Sequence, residues 1–392
     1  MLPEIKINKK NFGNLNTSDI PTPCFVIDLE ILRQNLGLLK KIKEKTNVKV
    51  LLALKAFSLK ETGKLISKYL DGISASGVNE AILGKKFFSG VVSTYSPAFK
   101  EIEMPEILRN SNHIIFNSIN QLNKFSKIKE INNKVEIGVR INPIYSEVKE
   151  KKYKAAGNQS RLGIHLNQLK NINFEVVDGL HFHSLCEQNF STLNRTWGKI
   201  YPKISNYFKY LKWINLGGGH HITRADYDIK SLIKFLNKIK LQTKCEIFLE
   251  PGEAVVFQSG IIVGEILDFI KSLSKKVPNI AITDISPTCH MPDVLEAPYK
   301  PVMLNEVNGK YGKEVLIGGP SCLAGDNIGK YKFKNFPKTG DKIIFLDQAH
   351  YTLVKTNFFN GINHPSVALW DSKLNKLEII KTFSYNDYEK SM

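Results

Sequence analysis

The chain has 392 residues, enough for two domains or for one large barrel with an appendage. Its 42% hydrophobic and 23% charged content is that of a globular protein, and no apolar run approaches the roughly 18 residues of a membrane span. The 55 Lys and Arg against 37 Asp and Glu leave a net charge of +18, but the lysines are spread over nearly every predicted helix. The densest cluster, residues 147–154 (EVKEKKYK), is short and carries glutamates. Such a pattern reads as a solubilising surface, so no nucleic-acid partner is expected.

The first 30 residues contain no apolar run of signal-peptide length, which predicts a cytoplasmic protein. Five scattered cysteines (Cys24, Cys186, Cys245, Cys289 and Cys322) with no CxxC pair argue against a disulfide framework and against a zinc ribbon, and no metal is expected.

The opening segment, 1–27, contains most of the apolar run PCFVID at 23–28 and is expected to join a sheet elsewhere in the chain. A rhythm then begins. Short apolar runs recur at 48–54, 72–75, 91–93, 113–116, 135–141, 179–182, 213–216 and 246–249. Between them lie segments of helical period, such as 78–88 (VNEAILGKKFF) and 231–240 (SLIKFLNKIK). Strands alternating with helices in this way predict an α/β fold, a (β/α)8 barrel of the TIM type over 28–258. After Glu250 the texture changes to strand-like runs (SGIIVGEILDFI, NIAITDIS, EVLIGG, DKIIFLD, YTLVKTNFF, PSVALW and KLEIIKTFSY) separated by Gly, Pro, Asn and Asp. An all-β domain is predicted over 259–392.

Active sites of such barrels lie at the carboxyl ends of the strands. Here the first apolar run leads into Lys55, the sixth into HFHSLCEQ with His181, His183, Cys186 and Glu187, the seventh into Gly217, Gly218 and Gly219, and the eighth into Glu250. A strand-end lysine is more often solvated than reactive, a strand histidine more often structural, and three glycines without the full GxGxxG spacing more often a plain turn. On one rim they fit a single cofactor. A lysine forms a Schiff base with a carbonyl, consecutive glycines let backbone N–H groups approach a phosphate, and a carboxylate keeps a pyridine nitrogen protonated. Together they point to pyridoxal 5'-phosphate (PLP).

ALKAF, HFHSLCEQ, NLGGGHHIT, EPGEAVV, ISPTCHMPDVLEAPYKP, GGPSCLAGD and DQAHYTLVKTNFFNG run over essentially the whole chain. In these motifs the sequence resembles the fold-type III PLP-dependent decarboxylases that act on ornithine, arginine and diaminopimelate. It is most similar to their carboxynorspermidine/carboxyspermidine branch, of which CHMPDVLEAPYKP is the most diagnostic run. The resemblance implies PLP-dependent α-decarboxylation of a carboxylated polyamine in a homodimer. It makes Lys55 the lysine covalently tied to PLP, His183 the ring-stacking residue and Glu250 the partner of the ring nitrogen. Gly217, Gly218 and Gly219, with Tyr351, are expected at the phosphate. Cys322 is expected to reach the partner's site as the acid that reprotonates Cα. Asp326, Asp293, Glu296, Glu187 and His290 are the expected substrate-binding residues. The sequence departs from the wider family at Glu253, where EPGR is usual, at Leu323, where an acidic residue is usual, and at Leu185 and Cys186, where Gly-Ser is usual. Leu323 speaks against diaminopimelate, although another fold-type III decarboxylase of that or the ornithine/arginine type is the alternative.

Overall fold

The structure, a computed structural model, describes residues 8–274, 276–307, 309 and 312–392, so positions 1–7 of the opening segment lie outside the described residues. The chain forms two compact units, residues 34–255 and residues 1–33 together with 256–392. Strand β1 (Cys24–Asp28) belongs to the second of these.

The first unit is built on strands β2 (Lys49–Ala53), β3 (Gly72–Ala75), β4 (Val91–Tyr95), β5 (His113–Phe116), β6 (Glu136–Asn142), β7 (Ile164–His165), β8 (Gly179–His181), β9 (Trp213–Asn215) and β10 (Glu246–Leu249). All pairings are parallel; β5 pairs with both β4 and β6, and β10 with both β9 and β2, so eight strands close into a barrel with β7 as an addition on β6. Consecutive apolar residues such as Leu51 and Leu52 are both buried because one faces the barrel interior and its neighbour faces the surrounding helices. The helix Ile229–Thr243 illustrates that outer layer. Leu232, Phe235, Leu236 and Ile239 recur at helical spacing on its buried face, and Asp228 caps its first turn by accepting from Ser231 N at 3.0 Å.

At the amino-terminal end of the barrel, Trp213 fills the interior. A Cβ at Gly179 would lie 2.1 Å from its indole and one at Gly138 2.4 Å from it, so these two strand glycines make its room. The His113 ring stacks on the indole at 4.7 Å and the Phe248 ring meets it edge-on at 6.1 Å. Conservation of volume at this end is a matter of stability rather than chemistry. Trp213→Ala is therefore expected to destabilise the barrel by about 3–5 kcal/mol, read as a lowered urea midpoint; a midpoint equal to that of the parent protein would refute the packing role.

The second unit is a sheet in the order β14–β13–β12–β11–β1–β16–β17, with β15 also on β11. Its strands are β1 with β11 (Gly260–Ile270), β12 (Asn279–Thr283), β13 (Lys313–Gly318), β14 (Asn327–Phe333), β15 (Lys342–Leu346), β16 (Ser366–Asp371) and β17 (Lys376–Lys381). β1 runs antiparallel to β11 and parallel to β16, which brings the opening segment into this sheet. One expectation needs correction. The run YTLVKTNFF is not a strand: it forms two single 3-10 turns, Leu353–Lys355 and Phe359–Gly361, with Tyr351 (φ 52°) and Asn360 (φ 58°) in the left-handed region. Those positions turn the chain away from any edge it could pair with. The segment NIGKYKF, which is not among the strand-like runs singled out above, forms β14, an edge strand paired among the described residues with β13; its Ile328 and Tyr331 face the core while Lys330 and Lys332 do not.

Candidate active site

Lys55 lies two residues beyond β2, in a turn held by Ala53 N donating to Pro251 O (3.0 Å), Leu54 N to Ser74 O (3.0 Å) and Ala56 N to Ala53 O (3.1 Å). A Cβ on Gly252 would come within 2.6 Å of Ala56 Cβ, so the EPGE segment must approach the lysine turn as bare backbone. The β2–β10 pairing thus sets Lys55 and Glu250, far apart in sequence, on one end of the barrel. Lys55 keeps access to solvent although protein groups crowd around it. That crowding and the nearby Arg140 guanidinium push its pKa below that of an ordinary lysine, while Glu250 pulls the other way. Solvent access tempers the shift, and its direction favours the neutral, nucleophilic amine.

Glu250 is buried and both carboxylate oxygens are engaged. Asn215 Nδ2 donates to Oε1 at 2.7 Å and His181 Nε2 lies 3.2 Å from Oε2. Burial alone would raise its pKa, but the His181, Asn215 and Ser74 contacts outweigh it and hold the carboxyl below its usual range. His181 itself is pushed down by burial against the pull of Glu250, so the pair is a neutral imidazole donating to an ionised carboxylate. Asn215 also accepts the Gly217 N–H on Oδ1 at 2.9 Å, tying the carboxylate to the glycine turn.

His183 follows β8, and its Nδ1 accepts the Gly218 N–H at 3.0 Å, which places the ring proton on Nε2. Burial, with Lys55 and Arg140 adding to it, depresses its pKa well below the ordinary value and keeps it neutral. Arg140 on β6 donates to the His183 carbonyl at 2.9 Å and lies 4.6 Å from the centre of the Tyr95 ring. In the glycine turn, Gly217 (φ 70°) and Gly219 (φ 82°) occupy left-handed backbone, and a Cβ at Gly218 would fall 2.1 Å from Glu250 O. With Gly217 and Gly218 donating internally, the Gly219 N–H is the one of the three that has no hydrogen bond among the described residues. An amine biased toward neutrality, a fixed anionic carboxylate and an uncommitted glycine N–H on one barrel end are the groups that PLP requires.

Beside this turn, donor atoms of Glu187, His221 and Glu253 lie within 4.8 Å of one another, with His221 Nε2 at 3.5 Å from Glu253 Oε1. The sequence offered no metal-ligand spacing here, because the three come from separate segments. The parallel bridge between Gln188 and His220 sets two of them side by side. Glu253 thus faces a histidine, and Glu187 adopts a left-handed backbone (φ 51°), an unusual conformation for a non-glycine residue.

The remaining expected residues belong to the sheet unit. Cys322 is exposed, and its N–H donates to Asn360 Oδ1 at 2.8 Å. Asp326, expected at the substrate, is buried and bonded within its own unit: it accepts from Ser286 Oγ (2.9 Å), Thr288 N (2.9 Å) and Ser321 N (3.1 Å). It fixes the loop that carries Cys322. His290 is likewise buried, Nδ1 accepting from Ser286 N at 3.1 Å and Nε2 lying 3.0 Å from Asn363 O. Asp293 and Glu296 both hold the Lys355 ammonium at 2.6 Å. Tyr351 is half-buried. Reading the sequence assigned no role to Asn215, His181 or Arg140. Their one signal was a polar residue inside an otherwise apolar strand, as in WINL, GLHF and GVRI.

A closed parallel barrel that brings a lysine and an ionised carboxylate to its carboxyl end, carried on one chain with a strand-built unit, is the arrangement of the fold-type III decarboxylases. Comparison with known proteins agrees. The chain is 40% identical over 381 residues (94% of this chain, 98% of the relative) to the carboxynorspermidine/carboxyspermidine decarboxylase of Campylobacter jejuni. The crystal structure of carboxynorspermidine decarboxylase from Campylobacter jejuni, complexed with norspermidine, superposes with a TM-score of 0.87 at 38% identity, covering 95% of this chain and 100% of that one. A carboxyaminopropylagmatine decarboxylase of Synechocystis sp. is 35% identical over 383 residues, 97% of each chain. No protein-family model matches the chain. The chain belongs to the carboxynorspermidine/carboxyspermidine decarboxylase family. Among the described residues no helix is long and apolar enough to cross a membrane.

Proposed function

We propose that this protein removes the α-carboxylate of a carboxylated polyamine, carboxynorspermidine or carboxyspermidine, as CO2, with PLP held in the barrel. The observation that carries this reading is the juxtaposition of Lys55, its pKa lowered, with the ionised and doubly held Glu250. When bound, PLP supplies the electron sink for the electron pair that CO2 leaves behind. The residues of this chain supply the rest. Lys55 would hold the cofactor through its amine. His183, neutral and fixed by Gly218, would cover the ring face. Glu250 would partner the ring nitrogen and favour its protonated form. The Gly219 N–H and Tyr351 would serve the phosphate, with Gly217 and Gly218 shaping the turn.

Cys322, exposed on a loop anchored by Asp326, is the acid for Cα in the partner's site of a cytoplasmic homodimer, a task within reach of a thiol. Glu187 would meet a substrate ammonium, and Asp293 and Glu296, which hold the Lys355 ammonium, support a second such role. Asp326 and His290 act on the substrate through the loops they brace.

The 35% identity to the carboxyaminopropylagmatine enzyme supports a second reading, in which the tail ends in a guanidinium. Both are tested by CO2 release from PLP-loaded protein with carboxynorspermidine, carboxyspermidine and carboxyaminopropylagmatine, with diaminopimelate and ornithine as controls. Release from either of the first two establishes the main reading, and release confined to the third transfers it to the guanidino substrate. Release from the controls alone, or from none, overturns it.

A further inference from the structure

His181 is an anomaly as a structural residue. It is 2% exposed at the end of β8, and its Nδ1 has no hydrogen-bond partner among the described residues. A buried, unsatisfied ring nitrogen weakens the fold, and an apolar side chain of the same size would avoid that cost. What such a side chain would lack is the other nitrogen, 3.2 Å from Glu250 Oε2. The surroundings allow the ring no free choice: the Tyr95 ring centre is 5.5 Å away, and Arg140 lies 4.6 Å from the same Tyr95 ring. Asn215 holds the opposite oxygen, Oε1, and the Ser74 hydroxyl adds a contact to the same carboxylate, so His181 completes a set of three donors. A carboxylate held from several sides is aimed, and the loss of one donor loosens its turning about the terminal bond.

We infer that His181 is a positioning residue: by donating Nε2–H to Glu250 it fixes the direction of that carboxylate and, through it, the protonation of the cofactor's ring nitrogen. A neutral donor suits this purpose. A cation in its place would neutralise the carboxylate that the ring nitrogen needs. The inference rests on the function proposed above.

The test compares the parent holoenzyme with H181M, which keeps volume but removes the donor, and H181Q, whose amide nitrogen falls where Nε2 was. Each is loaded with PLP carrying 15N in the ring, and kcat, KM and the ring 15N resonance are measured. H181M is expected to lower kcat per bound cofactor about 10- to 100-fold, the scale of one lost hydrogen bond to a charged group. KM should stay within about threefold, and the resonance should move toward the unprotonated ring. H181Q is expected to restore most of both.

A merely structural role would reduce the folded or loaded fraction but leave kcat per bound cofactor and the resonance as in the parent, and that result overturns the inference. Should H181M not fold, H181N takes its place, since its donor falls short of Glu250. H181Q must then exceed H181N about tenfold in kcat, and equality refutes the role. Failure of the parent protein to take up PLP would instead sink the proposed function, and this inference with it.

Discussion

Lys55→Ala is expected to abolish turnover, lowering kcat by at least about 10³-fold, while leaving the protein as stable as its parent or slightly more so. The loss follows from removing the amine that anchors the cofactor in the function proposed above, because fixed orientation of a reacting group is worth up to about 10⁵–10⁸ M in effective molarity. The stability has a separate cause. In the folded protein the lysine's pKa is lowered by burial and by Arg140, so its charged form is disfavoured by folding. Its contribution to stability is then negative at neutral pH and recovers only as pH rises toward the ordinary lysine value. Removing the side chain removes that burden, a trade between activity and stability common to functional sites. Decarboxylation assays, cofactor retention on gel filtration and thermal unfolding at pH 7 check the three parts. Turnover near the parent level would displace Lys55 from the site, and a marked loss of stability would refute the electrostatic account.

Glu250→Gln should lower kcat by about 10²–10³-fold with the cofactor still bound, the scale of removing one preorganised charge from a water-poor site. It should also destabilise, because the new amide nitrogen meets either Asn215 Nδ2 or His181 Nε2, donor against donor. The pH dependence follows from the sign of the shift. The carboxyl is held below its ordinary 4.5 in the folded state, so its stabilising contribution is complete above that value and is lost as pH falls through the folded pKa. The gap in thermal midpoint between Glu250→Gln and the parent should therefore be full at pH 7 and shrink below pH 4.5. A gap that does not change with pH would mean that Glu250 is not ionised in the fold.

Both predictions concern residues that stand out in the sequence, and the reason is physical. A parallel strand covered on both faces must be apolar throughout, so a lysine at 55 or a glutamate at 250 just past such a run marks a strand's end and a break in its burial. The alternation of these runs with helical periods made the barrel legible for the same reason. It failed where local pattern and pairing diverge: the apolar run at 351–359 is bent into 3-10 turns and pairs with no strand among the described residues, and β14, broken by a glycine and lysines, passed unnoticed.

By itself, then, the sequence determined the strand rhythm, the two-part architecture and the identities of the groups at the strand ends, because period and burial are local properties. Which of those groups face one another was decided only by strand pairing, through the β8–β9, β9–β10 and β2–β10 registers. These pairings make Asn215 and His181 donors to Glu250, and the turn that follows β9 ties up the N–H groups of Gly217 and Gly218, so that Gly219 alone of the three remains uncommitted among the described residues. In the sheet unit, packing likewise gives Asp293 and Glu296 to Lys355 and turns Asp326 inward to brace the Cys322 loop. Hydrogen bonds and ion pairs are made within a few ångströms across elements distant in the chain, and no periodicity along the chain encodes that distance.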